Sequence, residues 1–244
     1  MRPAMSALRV RAAATAALAL VLGVAACSGK RATEPAVTVE PAPTPNSPTN
    51  ALVLFQWCWV HQSVDRYREV LPADFVFQFA LLDTAGNSFR NGEWGREQEL
   101  ACFEALCVRG NQAYPHASKI TLDFTSPLVD FPDSRPGKAP RWHHEIRADV
   151  LLRVDAGASQ YQVQGQANFF LVRGDSAQIP AELAARGFTP DSTRWWIERW
   201  EDETAAVPAP PAGARPAEPR APLPTADFTW GLIKRIYLPP TAMP

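Results

Sequence analysis

A strict alternation of side chains between residues 160 and 172 is the feature that most constrains the fold. Apolar or small residues occupy every second position from Tyr161 to Leu171, and glutamines with Asn168 fill most of the positions between them. Successive side chains of a β-strand point to opposite faces of a sheet, so the pattern predicts a strand with one buried and one solvated face. Such strands are typical of antiparallel sheets.

Helical patterns precede this strand. Ser47 and Pro48 are typical of a helix N-terminus, and further helices are predicted over residues 64–71 and 96–108. Strand patterns cover residues 75–81, 119–124, 141–154, 160–172 and 193–200, with a loop over 127–140 and a short helix over 180–186. This order predicts an α+β fold, with N-terminal helices packed on an antiparallel sheet.

The domain boundaries follow from the distribution of proline and of large apolar residues. One folded domain is predicted over residues 47–203, between a Pro-rich tether over 27–46 and a Pro/Ala-rich disordered loop over 204–225. Residues 226–239 return to an aromatic pattern that includes Trp230, so this segment is expected to dock on the domain, beside the strand of Trp195 to Trp200. Residues 240–244 form a short tail.

Charge and cysteine usage exclude several classes of function. The chain has 24 basic and 25 acidic residues without a basic stripe, so nucleic acid is not an expected partner. No nucleotide-binding motif and no Cys-x-x-Cys pair is present, so neither a cofactor nor a metal is expected. Cys58 could form a disulfide with Cys102 or Cys107; alternatively, all three are buried free thiols.

The N-terminus has the pattern of a secretory signal over residues 1–26. Three arginines lie within the first eleven residues, and an apolar run then ends in Val24-Ala25-Ala26-Cys27. This ending resembles the lipobox of bacterial lipoproteins, which implies cleavage before Cys27, acylation of its thiol and anchoring in a membrane. Ser28 favours the outer membrane if the host is a diderm bacterium. The alternatives are an ordinary signal peptide or a buried N-terminal helix.

The first part of the predicted domain resembles a known family. The run from residue 51 to residue 79 is similar to the opening of nuclear transport factor 2-like (SnoaL-like, cystatin-like) domains. The matching positions are Asp65, Tyr67, Leu71, Asp74, Phe75 and Phe77. The resemblance covers residues 47–203 and implies a strongly curved sheet around a conical pocket. Members of the family include isomerases, dehydratases, epoxide hydrolases and proteins that only bind, so the fold does not define the function.

His144 is the candidate for chemistry. On a strand it shares the inner face with Trp142, whereas His143 points outward, so the two histidines do not chelate one metal. His144 could act as a general base if a carboxylate orients it; the alternative is a hydrogen-bonded histidine in the core or at the pocket rim. Asp65 and Asp74 are expected to have structural roles at a helix start and in a turn.

Aromatic residues supply the candidates for ligand binding. Together with His144, the candidates for the pocket lining are Trp142, Tyr161 and Trp196. Alternation places Trp195 with Ile197 on one face of their strand, and Trp196 with Trp200 on the other. The aromatic residues on the face of this strand that does not fill the core would be covered by the C-terminal segment or by a partner subunit.

Three functions remain open from the sequence. The first is a binding or interaction module at the cell envelope, for a small apolar ligand or an envelope protein. The second is an isomerase, dehydratase or hydrolase that uses the cone. The third is a structural envelope protein that forms a homodimer through its sheet. The cone distinguishes these functions. An enzyme should hold at least two polar groups within reach of one point of the cavity, together with an ionisable group whose pKa is perturbed. A binding module should have a mainly apolar cavity, and a structural protein should have a filled cone and a flat aromatic face.

Overall fold

The computed structural model describes residues 40–81, 83, 94–203 and 225–239, the last range with backbone only for residues 225–227. The predicted signal peptide, Cys27, the tail and all but one residue of the predicted disordered loop lie outside the described residues. None of the helices in the described ranges is long and apolar enough to cross a membrane.

The helices are α1 (Pro48–Val60), α2 (Val64–Arg68), α3 (Arg96–Glu104), α4 (Ala181–Ala184) and α5 (Trp230–Tyr237). The first begins where the sequence predicts, because the hydroxyl of Ser47 accepts a hydrogen bond of 3.1 Å from the amide of Asn50. The second ends at Arg68, three residues before the predicted end at Leu71, which directly precedes Pro72 and is therefore disfavoured in helical conformation. After α3 the chain continues in a π-helical turn, Ala105–Arg109.

The strands are β1 (Val76–Gln78), β2 (Trp94–Gly95), β3 (Lys119–Phe124), β4 (Val129–Pro132), β5 (His143–Ala156), β6 (Ser159–Arg173), β7 (Trp195–Asp202) and β8 (Thr225–Asp227). They form one eight-stranded sheet in the order β2-β1-β7-β6-β5-β3, with β4 on β5 and β8 on β6. The pairs β1–β7 and β6–β8 are parallel, and the other pairs are antiparallel. The sheet is curved and unclosed, and the predicted α+β fold is confirmed.

Three details of the chain differ from the sequence prediction. The strand β4 lies within the predicted loop over 127–140, because its backbone pairs with β5 although its own sequence carries no strand pattern. The folded unit begins at Pro41 rather than at Ser47. In this stretch Pro45 is buried, and its carbonyl oxygen accepts a hydrogen bond of 2.8 Å from the amide of Trp195. At the other end, β8 includes Thr225, the last residue of the predicted loop.

A β-bulge in β7 changes which tryptophans face the core. Phe170 pairs with Arg199 and Leu171 with Ile197, so Glu198 is an extra residue in β7. The prediction that Trp196 and Trp200 share a face is therefore wrong, because the bulge shifts the alternation by one residue. Trp200 joins Trp195 and Ile197 in the main core, while Trp196 packs in a second cluster beneath α4.

The main core lies between the inner face of the sheet and α1, α3 and α5. Its centre is aromatic: the ring of Phe55 on α1 contacts those of Phe169 and Trp200, each at a centroid distance of 5.4 Å. The indole of Trp230 on α5 lies edge-on against Trp200 at 4.6 Å and against Trp59 at 5.3 Å. The C-terminal helix is thus part of this core, because it contributes a fully buried tryptophan.

Candidate functional site

A buried carboxylate on α3 is the centre of the candidate site. Glu99 precedes Cys102 and Phe103 by three and four residues, so it lies on the buried face of its helix. Its carboxylate accepts hydrogen bonds of 2.8 Å from the hydroxyl of Tyr67 and of 2.8 Å from the indole N–H of Trp94. It also accepts one from the ammonium group of Lys234. Three donors from three separate elements therefore converge on one carboxylate.

Lys234 reaches this carboxylate from α5. It follows Trp230 by one helical turn and shares the buried face of α5 with Ile233 and Tyr237. Its side chain and that of Glu99 are each only 2% exposed. A charged side chain is almost never buried to this extent unless it is paired, so each of the two requires the other.

Three aromatic rings surround the ammonium group of Lys234. Its Nζ atom lies 4.0 Å from the ring centroid of Phe77, 4.8 Å from that of Trp200 and 5.3 Å from that of Trp94. A cation within about 6 Å of an aromatic face is attracted by the ring quadrupole, and the attraction grows when water is excluded. We call Phe77, Trp94 and Trp200 the aromatic cage, and the cage together with Glu99 the Glu99 site.

The protonation of Tyr67 follows from its surroundings. Burial, and then the neighbouring Glu99, raise the pKa of Tyr67 well above its ordinary value. The phenol therefore keeps its proton and donates it to Glu99 in a hydrogen bond. With Glu99 paired to Lys234 and Tyr67 neutral, the site holds a cation without offering a free acid or base.

Polar contacts along its length hold α5 in place. Thr229 caps the helix, and the amide of Gly231 donates to the carboxylate of Asp83 at 2.8 Å. The hydroxyl of Tyr237 donates to the carbonyl oxygen of Pro115 at 2.9 Å. The thiol of Cys102 lies 3.8 Å from the carbonyl oxygen of Lys234, directly beneath the helix. Cys102 is consequently covered by α5.

The structure places His144 at the rim of the core. Its Nδ1 atom lies 2.6 Å from a carboxylate oxygen of Asp130, and its Nε2 atom lies 3.0 Å from the carbonyl oxygen of Pro140. Its ring packs edge-on against Trp195 at 4.8 Å. Both ring nitrogens thus have a polar partner within hydrogen-bond distance, and the carboxylate of Asp130 is in the position to orient the ring. The general base and the hydrogen-bonded rim histidine both stay predictions for His144.

The candidates for the pocket lining do not meet at one point. Tyr161 pairs with Val154, ten residues from His144 along β5, which is about 33 Å at the rise of a β-strand. Trp142 lies beside His144, with the guanidinium of Arg173 5.9 Å from its ring. Trp196 is on the opposite face of the sheet, in the second cluster. Asp65 lies in the first turn of α2, and Asp74 lies in the turn before β1.

The three described cysteines are free and buried, so the disulfide alternative is not formed. Burial raises the pKa of Cys102 to about 12 and raises the pKa values of Cys58 and Cys107 as well. A nucleophilic thiol needs the opposite shift. Within the described ranges, no cluster of three or more His, Cys, Asp or Glu side chains could hold a metal ion.

The residues of the Glu99 site were absent from the sequence-based candidates. Lys234 has a recognisable signal, because it places a charge on the apolar face of the amphipathic helix α5, and Glu99 carries the opposite charge next to the apolar residues of α3. The aromatic cage has no comparable signal. Its members come from β1, β2 and β7, and Trp200 enters it only because of the bulge at Glu198.

No protein-family model matches the chain, and no curated protein is similar to it in sequence. Among solved structures, a candidate scytalone dehydratase from Novosphingobium aromaticivorans is similar to this chain, with 11% sequence identity and a TM-score of 0.43. The match covers 64% of this chain and 80% of the dehydratase chain. A nuclear transport factor 2-like superfamily protein from Salmonella enterica matches with 12% identity, coverages of 68% and 93%, and a TM-score of 0.40.

A nuclear transport factor 2-like protein from Rhodospirillum rubrum, of unknown function in nutrient uptake, matches with 8% identity, coverages of 66% and 98%, and a TM-score of 0.40. Similarity at this level carries no argument about activity.

Proposed function

We propose that this protein is a lipid-anchored binding module of the cell envelope whose interior does no chemistry. The observation that carries the proposal is the Glu99 site, in which a side chain of the protein itself occupies the centre of the aromatic core. A buried carboxylate and three aromatic rings around a cation are typical of a cation-binding site. The carboxylate accepts a charge-assisted hydrogen bond from the cation, and the rings attract it through cation–π contacts.

The same site argues against catalysis. General acid–base chemistry needs a group that can gain or lose a proton at the reacting atom. Glu99 is paired with Lys234, and the raised pKa of Tyr67 keeps its hydroxyl protonated. His144 is engaged at both ring nitrogens. An enzyme that used these residues would first have to break their bonds.

The outer face of the sheet argues against dimerisation through a flat aromatic surface. Many of its side chains on β5 and β6 are polar and bond to one another, with Arg147 donating to Asn168 at 2.9 Å and Gln166 to Asp149 at 2.9 Å. Asn168 in turn donates to Glu203 at 2.7 Å, and the apolar Val172 is covered by Leu183 of α4. This hydrogen-bonded polar surface supports a binding module over the structural homodimer.

The membrane anchor in this proposal rests on Cys27 and the small residues before it. Each buried CH₂ of an acyl chain contributes about 0.8 kcal/mol, so two or more chains on one cysteine anchor a protein stably. In a diderm host, Ser28 favours the outer membrane as the final location.

The experiment combines fractionation with site-specific cross-linking. We expect mass spectrometry of the membrane-extracted chain to find an acylated Cys27 as its first residue, and the Cys27→Ser chain to be absent from the membrane. A photo-reactive residue at the exposed Arg235 should give a discrete adduct in the anchored chain but not in the Cys27→Ser chain. An unmodified Cys27 would refute the anchor, and equal adducts in both chains would refute the envelope partner.

A further inference from the structure

The Glu99 site holds only the end of the Lys234 side chain. The ammonium group is bonded to Glu99 and faces Phe77, Trp94 and Trp200. These contacts involve a cation on a short alkyl stem, and they do not involve the backbone of α5. A free alkylammonium ion carries the same groups and could make the same contacts.

The hydrogen bonds of the site define the class of cation. Tyr67 and Trp94 each donate to Glu99 and thereby fix the orientation of its carboxylate. The remaining acceptor capacity of that carboxylate faces the cage, so a cation with an N–H group gains a charge-assisted hydrogen bond there. A quaternary ammonium retains the cation–π contact but loses this bond. The site is thus suited to a primary ammonium group.

We propose that the Glu99 site is a binding site for primary alkylammonium ligands, and that Lys234 is its built-in occupant. The inference rests on the proposed function, because it requires an interior that binds and does not react. An external ligand competes with the ammonium group of Lys234 for Glu99, while the other contacts of α5 are retained. Since Lys234 belongs to the same chain, it competes at a high effective concentration.

Removing the built-in occupant isolates the site. The Lys234→Ala change removes three methylene groups and the ammonium, which together correspond to n-propylammonium. Thermal unfolding of the full chain should show a Tm of Lys234→Ala that rises in a saturable way with n-propylammonium chloride. Equal concentrations of sodium chloride or 1-propanol should leave Tm unchanged, and tetramethylammonium should act more weakly. The matched control is Arg235→Ala, an exposed neighbour on α5.

Glu99 supplies the second half of the test. The double variant Lys234→Ala/Glu99→Gln lacks the carboxylate, so n-propylammonium should no longer raise its Tm beyond the effect of sodium chloride. An equal rise in the single and double variants would overturn the proposal, as would an equal rise with 1-propanol. If Lys234→Ala does not fold by itself, the proposal requires that n-propylammonium, and not 1-propanol, restores its folding.

The wild-type chain reports the competition. Because Lys234 already occupies the site, n-propylammonium at the concentrations that saturate Lys234→Ala should raise the Tm of the wild-type chain far less than that of the variant. An equal rise in both chains would overturn the assignment of Lys234 as the occupant. Acylation of Cys27 is measured separately, so a failure of the anchor and a failure of the ammonium site are distinguishable.

Discussion

Glu99 and Lys234 are 135 residues apart in the chain and form an ion pair inside the aromatic core. Desolvation of two charges is costly, and their attraction offsets this cost only when the geometry is good and the remaining hydrogen-bonding groups are satisfied. Tyr67, Trp94 and the cage supply those additional contacts. Because the pair joins α3 to α5, it couples the C-terminal helix to the rest of the domain.

The first prediction concerns this pair. Lys234→Met keeps most of the apolar stem of the side chain but leaves Glu99 buried without its cation, which should lower the free energy of unfolding by about 3–5 kcal/mol. Urea-induced unfolding followed by tryptophan fluorescence measures the change. Lys234→Met/Glu99→Gln removes both charges and should recover part of the loss, whereas Arg235→Met on the exposed side of α5 should have little effect. A double variant as unstable as the sum of the single variants would contradict coupling.

The second prediction concerns the bulge. Deletion of Glu198 removes the extra residue and restores strict alternation in β7, with Trp195, Ile197 and Trp200 still on the inner face, so the domain should fold with Trp200 in the core. Glu198→Gln keeps the bulge and loses only the charge that faces Lys138 and Arg135, so it should fold with a modest loss of stability. Near-ultraviolet circular dichroism, which reports the packing of the tryptophans, should be native-like for both variants. Loss of the native spectrum in the deletion alone would show that the core needs the bulge itself and not only the inward position of Trp200.

The third prediction concerns acid stability. Burial alone would raise the pKa of Asp133, but hydrogen bonds from the side chain and backbone of Arg135 outweigh burial and lower this pKa below its ordinary value of 3.8. The unfolded chain therefore binds the proton first, and stability is lost as the pH falls below about 4. Asp133→Asn should cost about 1.5–3 kcal/mol at neutral pH.

The acid-dependent part of unfolding should be smaller in Asp133→Asn than in the wild type, because the variant has no carboxyl group to protonate at this position. Urea midpoints measured from about pH 2.5 to neutral pH would measure it. Asp123→Asn, which changes an exposed residue of β3, is the control. The same acid dependence in both variants would exclude Asp133 as the cause.

The fourth prediction concerns the end of the π-helical turn. Gly110 has φ 62° and ψ −162°, a region that is almost restricted to glycine, and a Cβ atom there would lie 2.6 Å from the amide nitrogen of His116. Gly110→Ala should therefore cost more than the 1–3 kcal/mol that is roughly typical of backbone strain alone. Gly137 also has a positive φ, of 81°, but has no atom within 4 Å of an added Cβ. Thermal unfolding should rank Gly137→Ala as the milder change.

Local signals predict much of the fold. The cap at Ser47 and the alternation in β6 depend on neighbours in sequence, so helix α1 and the long strands lie close to their predicted positions. The strand β4 and the bulge at Glu198 depend on pairing with β5 and β6, so the alternation rule missed both. Tertiary pairing overrides the local pattern at these points.

The candidate site was harder to predict, because reactive residue types such as His144 lie at the rim of the core. The centre of the core instead contains charged residues at positions where apolar residues are expected. Glu99 and Lys234 are ordinary surface residues by type, and only their positions on buried helix faces single them out. The convergence of Phe77, Trp94 and Trp200 on Lys234 depends on sheet order, which the sequence does not encode locally.

The position of α5 has a consequence for synthesis of the chain. Trp230 and Lys234 complete the core, yet they leave the ribosome after every other described element has emerged. Until then the nascent chain exposes the aromatic surface beneath α5 and an uncompensated Glu99, so it cannot lock into its final state. Folding of this domain is therefore completed only after α5 has been synthesised, and the preceding elements stay without their final packing up to that point.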